Sequence, residues 1–364
     1  MQSIKRSACI ICNNTSLEPI GSFEHFPIMA ISNEMIDEHY YTMAPIYCRE
    51  CGCMQLQELV DPLILYSNIY TNATFSKTWQ EHHSFFSRFI INNTEEDSFL
   101  EVGANKGDLY KYMSSARDIE HTVLDMFKSS DLPKEIAFIE GNCETFNFTG
   151  FKTVILSHVF EHLYDPRAFL ENMRKSNVST VFISIPDFES LLTDKSICIL
   201  NSQHTFFCSD AHIKWLFSQY NYRCNEYYRY GGCFKSCMYK FTLEAGTVDS
   251  VIVPHPISLF KEIYVDKVSY IRTMYIPPNT YIIPSGIYGQ YIYYFSNYKE
   301  NIMGFIDNNS QRHNKELYGT GKKVYSPLCI DYTKSTVIVC DCIYKEELVQ
   351  DLKKISTSIH FIIM

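Results

Sequence analysis

Phe99-Leu100-Glu101-Val102-Gly103-Ala104-Asn105-Lys106-Gly107 is the stretch on which the fold turns. Apolar strand-forming residues run into a turn punctuated by two glycines, and a helical pattern begins at Asp108 and continues to Met113. Glycine lets a backbone approach an anion closely, and the N-terminus of the following helix favours negative charge. A dinucleotide loop would read G-x-G-x-x-G, whereas this one reads Glu-x-Gly-x-Asn-x-Gly. The stretch therefore predicts a strand–turn–helix that cradles a nucleotide-type cofactor other than a dinucleotide.

Moving outward, further short β-branched runs recur at helix-length intervals: Ser98–Val102, Thr122–Asp125, Thr153–Leu156 and Thr180–Ser184. Strands spaced in this way read as a parallel, doubly wound sheet. Prolines at 254, 256, 277, 278 and 284 then interrupt the pattern. Beyond them Tyr281–Ile283, Asn301–Ile306, Thr336–Val339 and His360–Ile363 predict a second, smaller α/β unit. Composition thus suggests three successive parts, residues 1–65, 66–250 and 251–364.

With 364 residues, 46% of them hydrophobic, the chain has ample material for more than one core. A net charge of −9 and the lack of any basic cluster beyond paired lysines exclude a nucleic-acid backbone as partner. No apolar run approaches the ~20 residues that cross a bilayer, and residues 1–12 lack a signal-peptide pattern. A cytoplasmic protein, monomeric or a small homo-oligomer, is the resulting expectation.

Fourteen cysteines in a chain of this size read as reduced thiols rather than a disulfide scaffold. Two pairs stand out, Cys9-x2-Cys12 and Cys48-x2-Cys51. Each pair can point two thiolates at one centre, and four thiolates complete a tetrahedron around Zn²⁺ with no open position, which makes a structural site. Free thiols are the plainer reading, and Cys53 is a spare neighbour that could replace Cys51.

The Glu101-to-Gly107 loop resembles the first motif of class I methyltransferases, and further features follow at the expected intervals. The resemblance implies that Glu101, Gly103, Asn105 and Gly107 hold the methionine end of S-adenosylmethionine. It implies that Asp125 binds the ribose and that Asn142 and Cys143, after the third strand, lie by the adenine. Ser157 and His158 close the fourth strand, and the run to Pro166 matches its loop. His158 and Glu161 would either touch a ligand or brace that loop.

The order of parts (zinc module, class I core, second α/β unit) resembles the zinc-binding sugar C-methyltransferases of deoxysugar biosynthesis. Tyr70, the entry helix Ser76-Lys-Thr-Trp79-Gln-Glu-His82, Ile185-Pro-Asp-Phe188 and Gln203-His204-Thr-Phe-Phe207 carry this likeness. It implies methyl transfer to C3 of a 4-keto-6-deoxy sugar linked to dTDP, UDP or GDP, with His204 as base. Tyr70, His82 and Glu161 would contact the substrate, and Gln203 would assist His204. That family reads Tyr-His-Glu-His where this chain reads Asn201-Ser202-Gln203-His204. Gln203 can donate a hydrogen bond but cannot act as an acid or base. O- or N-methylation of a related nucleotide sugar, which needs one base only, therefore stays open, as does a non-catalytic binding protein. In the C-terminal part, Tyr288, Tyr291, Tyr293 and Tyr294 offer rings for a nucleotide base, with ordinary packing as the plainer reading.

Overall fold

The computed structural model describes residues 3–30, 32–33, 38–66, 77–232, 235–244, 256–342 and 345–364. Tyr70 and the segment 245–255, which contains the expected boundary near residue 250, lie outside the described residues. The chain divides into two compact units that interleave in sequence. The first comprises residues 1–19, 44–194 and 203–257; the second comprises 20–43, 195–202 and 258–364.

In the first unit the β-branched runs form strands because both sheet faces are covered, which rewards continuous apolar stretches. The observed strands are Ser98–Val102, Glu120–Asp125, Ala137–Glu140, Thr153–Ser157 and Thr180–Pro186, all parallel. Numbered along the chain, with Tyr222–Tyr230 sixth and Ser236–Leu243 seventh, they lie in the order 3-2-1-4-5-7-6. The last strand runs antiparallel to both of its neighbours. The order reverses between the first and fourth strands, and ligands of open α/β sheets bind outside the strand ends at such a reversal. This is the Rossmann-like class I core that the glycine loop predicts.

Leu100, Val102, Leu124, Val154, Leu156, Val181 and Ile183 fill one face of the sheet with Phe169, Leu170 and Phe217. Phe99, Ile155, Phe182 and Met238 fill the other with Phe86, Ile90, Leu109 and Met113. The alternation along Ser98–Val102 therefore sends Glu101 to the second face, beside the helices Lys77–Asn92 and Asp108–Ala116.

The cysteine pairs sit in the same unit. Leu17–Pro19, Pro45–Cys48, Met54–Leu56 and Phe206–Phe207 form a four-stranded antiparallel sheet. The cysteine segment is thus a sheet completed by a strand from about 150 residues later (Gln55 pairs with Phe206).

The second unit has its own sheet. His360–Ile363, Thr336–Val339, Thr280–Ile283, Ile302–Ile306 and Lys322–Tyr325 run parallel, and Glu316–Leu317 and Ser32–Asn33 continue antiparallel. The hairpin Phe23–Pro27/Tyr40–Met43 belongs here, with Phe26 buried against Tyr291 and Tyr294 of the helix Ile287–Phe295. Tyr291 is itself 2% exposed and donates its hydroxyl to the Leu200 carbonyl. Tyr291 and Tyr294 are therefore used in packing. Among the described residues no helix is long and apolar enough to cross a membrane.

Candidate active site

The thiols of Cys9, Cys12, Cys48 and Cys51 lie within 4.8 Å of one another. Cys9 Sγ is 3.6 Å from Cys51 Sγ, and Cys12 Sγ is 3.5 Å from Cys48 Sγ. A tetrahedron with zinc–sulfur bonds of about 2.3 Å has edges of about 3.8 Å, so the set fits zinc. The Ile11 and Cys12 amides point at Cys9, and the Gly52 amide donates to the Cys48 carbonyl with Gly52 at φ 78°. Crowded thiols cannot all ionise by themselves. Hydrogen bonds from Cys51 and then Cys53 pull the Cys9 thiol down to about 2, while burial pushes Cys12 up to about 12. A dication would let all four ionise together. Cys53 borders the cluster through Cys9 and also lies 3.8 Å from Cys208 Sγ.

This frame is tied to the parallel core by residues the sequence did not single out. His212, in the first turn of the helix Asp210–Ser218, donates through Nε2 to the Cys51 carbonyl at 2.7 Å. Arg167 donates to the carbonyls of Ile10 and Ile11. Buried Arg6 reaches the carbonyls of Thr205 and Tyr164 and the Thr205 hydroxyl, and burial lowers its guanidinium to about 10.

At the reversal of strand order, the loops after the first, second and fourth strands meet. Gly103 has φ +68°, and a Cβ there would lie 2.7 Å from Val159 Cγ2, so only glycine lets the two loops approach. Gly107 caps the helix Asp108–Ala116, and Asn105 takes the left-handed region at φ 51°. The Asn105 amide points at Asp125 Oδ2 at 3.4 Å, and the Phe127 amide at Oδ1 at 3.5 Å. Among the described residues no cation pairs with Asp125, and burial raises its carboxyl above the ordinary range. Glu101 is 3% exposed and its Oε2 accepts from His121 Nε2 at 2.8 Å. That partner is 20 residues away on the neighbouring strand, where no local spacing signals it.

Asn142 is exposed and uses Oδ1 to cap the Glu144 amide, while Cys143 packs partly into the core. Among the described residues the buried Ser157 hydroxyl, at the end of the fourth strand, has no hydrogen-bond partner.

His158 follows in the left-handed region at φ 54°, its amide donating to the Ser184 carbonyl. Its Nε2 is 3.2 Å from His82 Nε2 and 3.1 Å from Ser236 Oγ, and its Nδ1 is 3.3 Å from Glu161 Oε1. Burial first, and then His83, drops its pKa to about 3, so the ring is neutral at ordinary pH. His82 is 0% exposed and bonds the Ser184 hydroxyl at 2.8 Å; in this position it braces His158.

Glu161 and His162 occupy the short turn Phe160–His162. The Thr205 amide donates to the Glu161 carbonyl at 3.0 Å, which draws the Gln203–Phe207 segment against this turn. The His204 ring then lies 5.1 Å from His162, and burial holds its pKa well below the ordinary value. Burial raises the Glu161 carboxyl to about 7, with His162 opposing. Glu161 and His204 share a recess with Phe160, Pro186, Phe188 and Phe206. Gln203 precedes His204 in the same turn, half-buried.

No protein-family model matches the chain. No curated protein matches it either. Among solved structures it is similar to a putative methyltransferase in complex with the Haloferax volcanii Trm112 activator, at 12% identity and TM-score 0.39, covering 45% of this chain and 92% of that one. It is also similar to magnesium protoporphyrin IX methyltransferase from Synechocystis PCC 6803 with bound SAH, at 14% identity and TM-score 0.38, covering 49% of this chain and 92% of that one. A third is a putative sarcosine dimethylglycine methyltransferase from Galdieria sulphuraria, at 10% identity and TM-score 0.36, covering 45% and 86%.

Proposed function

We propose that the chain transfers a methyl group from S-adenosylmethionine to a nucleotide-linked deoxysugar, at C3 of a 4-keto-6-deoxy sugar, with His204 as base. The supporting observation is one of placement. The Gly103 loop touches Val159, and two residues beyond Val159 stands Glu161, which shares a recess with His204. A cofactor held at the strand reversal would thus end close to a neutral imidazole.

When bound, S-adenosylmethionine supplies a methyl already activated on a sulfonium, so the protein's task is to position and to move one proton. Glu101, Gly103, Asn105 and Gly107 would hold its methionine end. Asp125 would bind the ribose, with its carboxylate oriented by the Asn105 and Phe127 amides. Ser157 would offer its unpartnered hydroxyl. His204, kept neutral by burial, would accept the C3 proton. Glu161, poised near neutrality, would donate to the developing oxyanion that Gln203 cannot protonate. The four cysteines would hold a structural zinc whose sheet carries Phe206–Phe207 and so fixes the residue beside them.

Incubation with S-adenosylmethionine and a panel of dTDP-, UDP- and GDP-linked sugars, followed by mass spectrometry, tests the reading. A one-methyl gain on a 4-keto sugar is expected, together with wash-in of solvent deuterium at C3. Gln203 at the position of a family glutamate favours a second reading, O- or N-methylation. A gain confined to hydroxyl or amino sugars without deuterium wash-in would select it. No gain on any sugar, with cofactor bound, would remove the sugar acceptor.

A further inference from the structure

We infer that Glu161, His162 and His204 form a second metal site, independent of the cysteines, that takes a divalent transition cation through two imidazoles and one carboxylate. One donor atom from each of the three lies within 4.8 Å of the others. Glu161 is 5% exposed, and among the described residues no other residue hydrogen-bonds its carboxylate oxygens. Its Oε1 lies 3.3 Å from His158 Nδ1 and 3.9 Å from His162 Nε2. A buried carboxylate without hydrogen bonds is costly unless a proton or a cation compensates it.

The surroundings support ligation. Tyr66 Oη lies 3.1 Å from His162 Nδ1, an outer partner able to accept the Nδ1 proton when Nε2, which lies 3.9 Å from Glu161 Oε1, is the ligating nitrogen. The Thr205 amide and hydroxyl bond the carbonyls of Glu161 and Leu163, so His204 is held against the same turn by backbone. Metal-to-ligand bonds of about 2.1 Å would bring the donors to about 3.4 Å apart, a closure that side-chain rotation supplies.

Three ligands leave coordination open, and Glu161 and His204 face a recess lined by Phe160, Pro186, Phe188 and Phe206. Open two-histidine, one-carboxylate sites are the catalytic kind, where the cation polarises a substrate oxygen. On the proposed keto-sugar reading, on which this clause alone rests, that oxygen would be the ketone. A ligated His204 could not also accept the C3 proton, so occupancy of this site and the His204-base reading exclude one another, and the metal count decides between them.

Metal content and optical spectra of the full chain loaded with Zn²⁺ or Co²⁺ test the site. Wild type should bind two ions per chain, and only one should give thiolate-to-cobalt charge transfer. Glu161→Gln and His204→Ala should each drop the count to one and keep that thiolate band. Wild type that binds one ion, or a second ion that brings more thiolate charge transfer, overturns the site. So do variants that still bind two. If the variants fail to fold, the wild-type count and spectrum still decide. Absence of methyl transfer would sink the function proposed above and leave the metal count untouched.

Discussion

Both units run a strand into a glycine-containing turn and a helix, and both end the next strand on an aspartate, yet the two aspartates are wired differently. Asp307, after Ile302–Ile306, is 7% exposed and satisfied from within. Its Oδ2 accepts from Ser285 Oγ at 2.7 Å and from Arg312 Nη1 at 2.9 Å, and its Oδ1 accepts from the Asn309 amide at 2.9 Å. Among the described residues Asp125 receives backbone hydrogen bonds alone, those from Asn105 and Phe127 long at 3.4 and 3.5 Å. The first wiring locks a fold; the second leaves acceptor capacity for hydroxyls brought by a ligand. The same local grammar thus yields a self-satisfied turn in one unit and an open one in the other.

The largest expected effect comes from removing the frame around the open turn. Zinc binding to such sites is worth on the order of 10 kcal/mol or more. Cys51→Ser, or strong chelation, should therefore unfold the first unit. Trp79 and Trp215 both lie in that unit, so their fluorescence should report it. A variant with unchanged fluorescence melting would show that the cysteines are ordinary thiols.

Next in size, Arg312→Ala should cost about 3–5 kcal/mol, because it leaves Asp307 buried with its charge uncompensated. Far-UV circular dichroism should then show an early denaturation step that tryptophan fluorescence does not follow. Simultaneous transitions would mean that the second unit does not depend on this pair. Gly103→Ala should cost about 2–4 kcal/mol, combining left-handed strain with a collision against Val159. Calorimetry should also find weaker S-adenosylmethionine binding; unchanged affinity would detach the loop from the cofactor.

Asp125→Asn is the finest test. Loss of a charged hydrogen-bond acceptor should weaken cofactor binding about tenfold. Stability should move the other way. Burial raises the folded pKa of Asp125 above its ordinary 3.8, so above that value the unfolded chain binds fewer protons than the native one. Native stability therefore falls as pH rises from 3.8 through the raised value, and the variant escapes this loss. The variant should melt higher than wild type at neutral pH, with the gap closing toward pH 3.8. A lower melting point at neutral pH would mean that the aspartate is satisfied like Asp307.

Much of this was legible in the sequence. Ser98–Val102 and Thr336–Val339 appear with the bounds their β-branched runs predict, because strands buried on both faces are continuous in apolar residues, and the edge strand His360–Ile363 also keeps its bounds although its ends are exposed. Cys9, Cys12, Cys48 and Cys51 were legible because a knuckle is local and its spacing is its geometry. Tyr222–Tyr230 was not read as a strand, since its largely exposed tyrosines and arginines carry no such run.

The sequence by itself determined most strands of the two parallel sheets, the glycine loop and the cysteine pairs, all of which depend on neighbours a few residues apart. Only the tertiary structure decided the pairings across distance. It sends residues 20–43 to the second unit, sets His121 against Glu101, and completes the cysteine sheet with Phe206–Phe207. It also gathers His204 with Glu161 and His162. The physical reason is that strand register and burial bring these residues together, and both are properties of the packed chain that no short window of sequence contains.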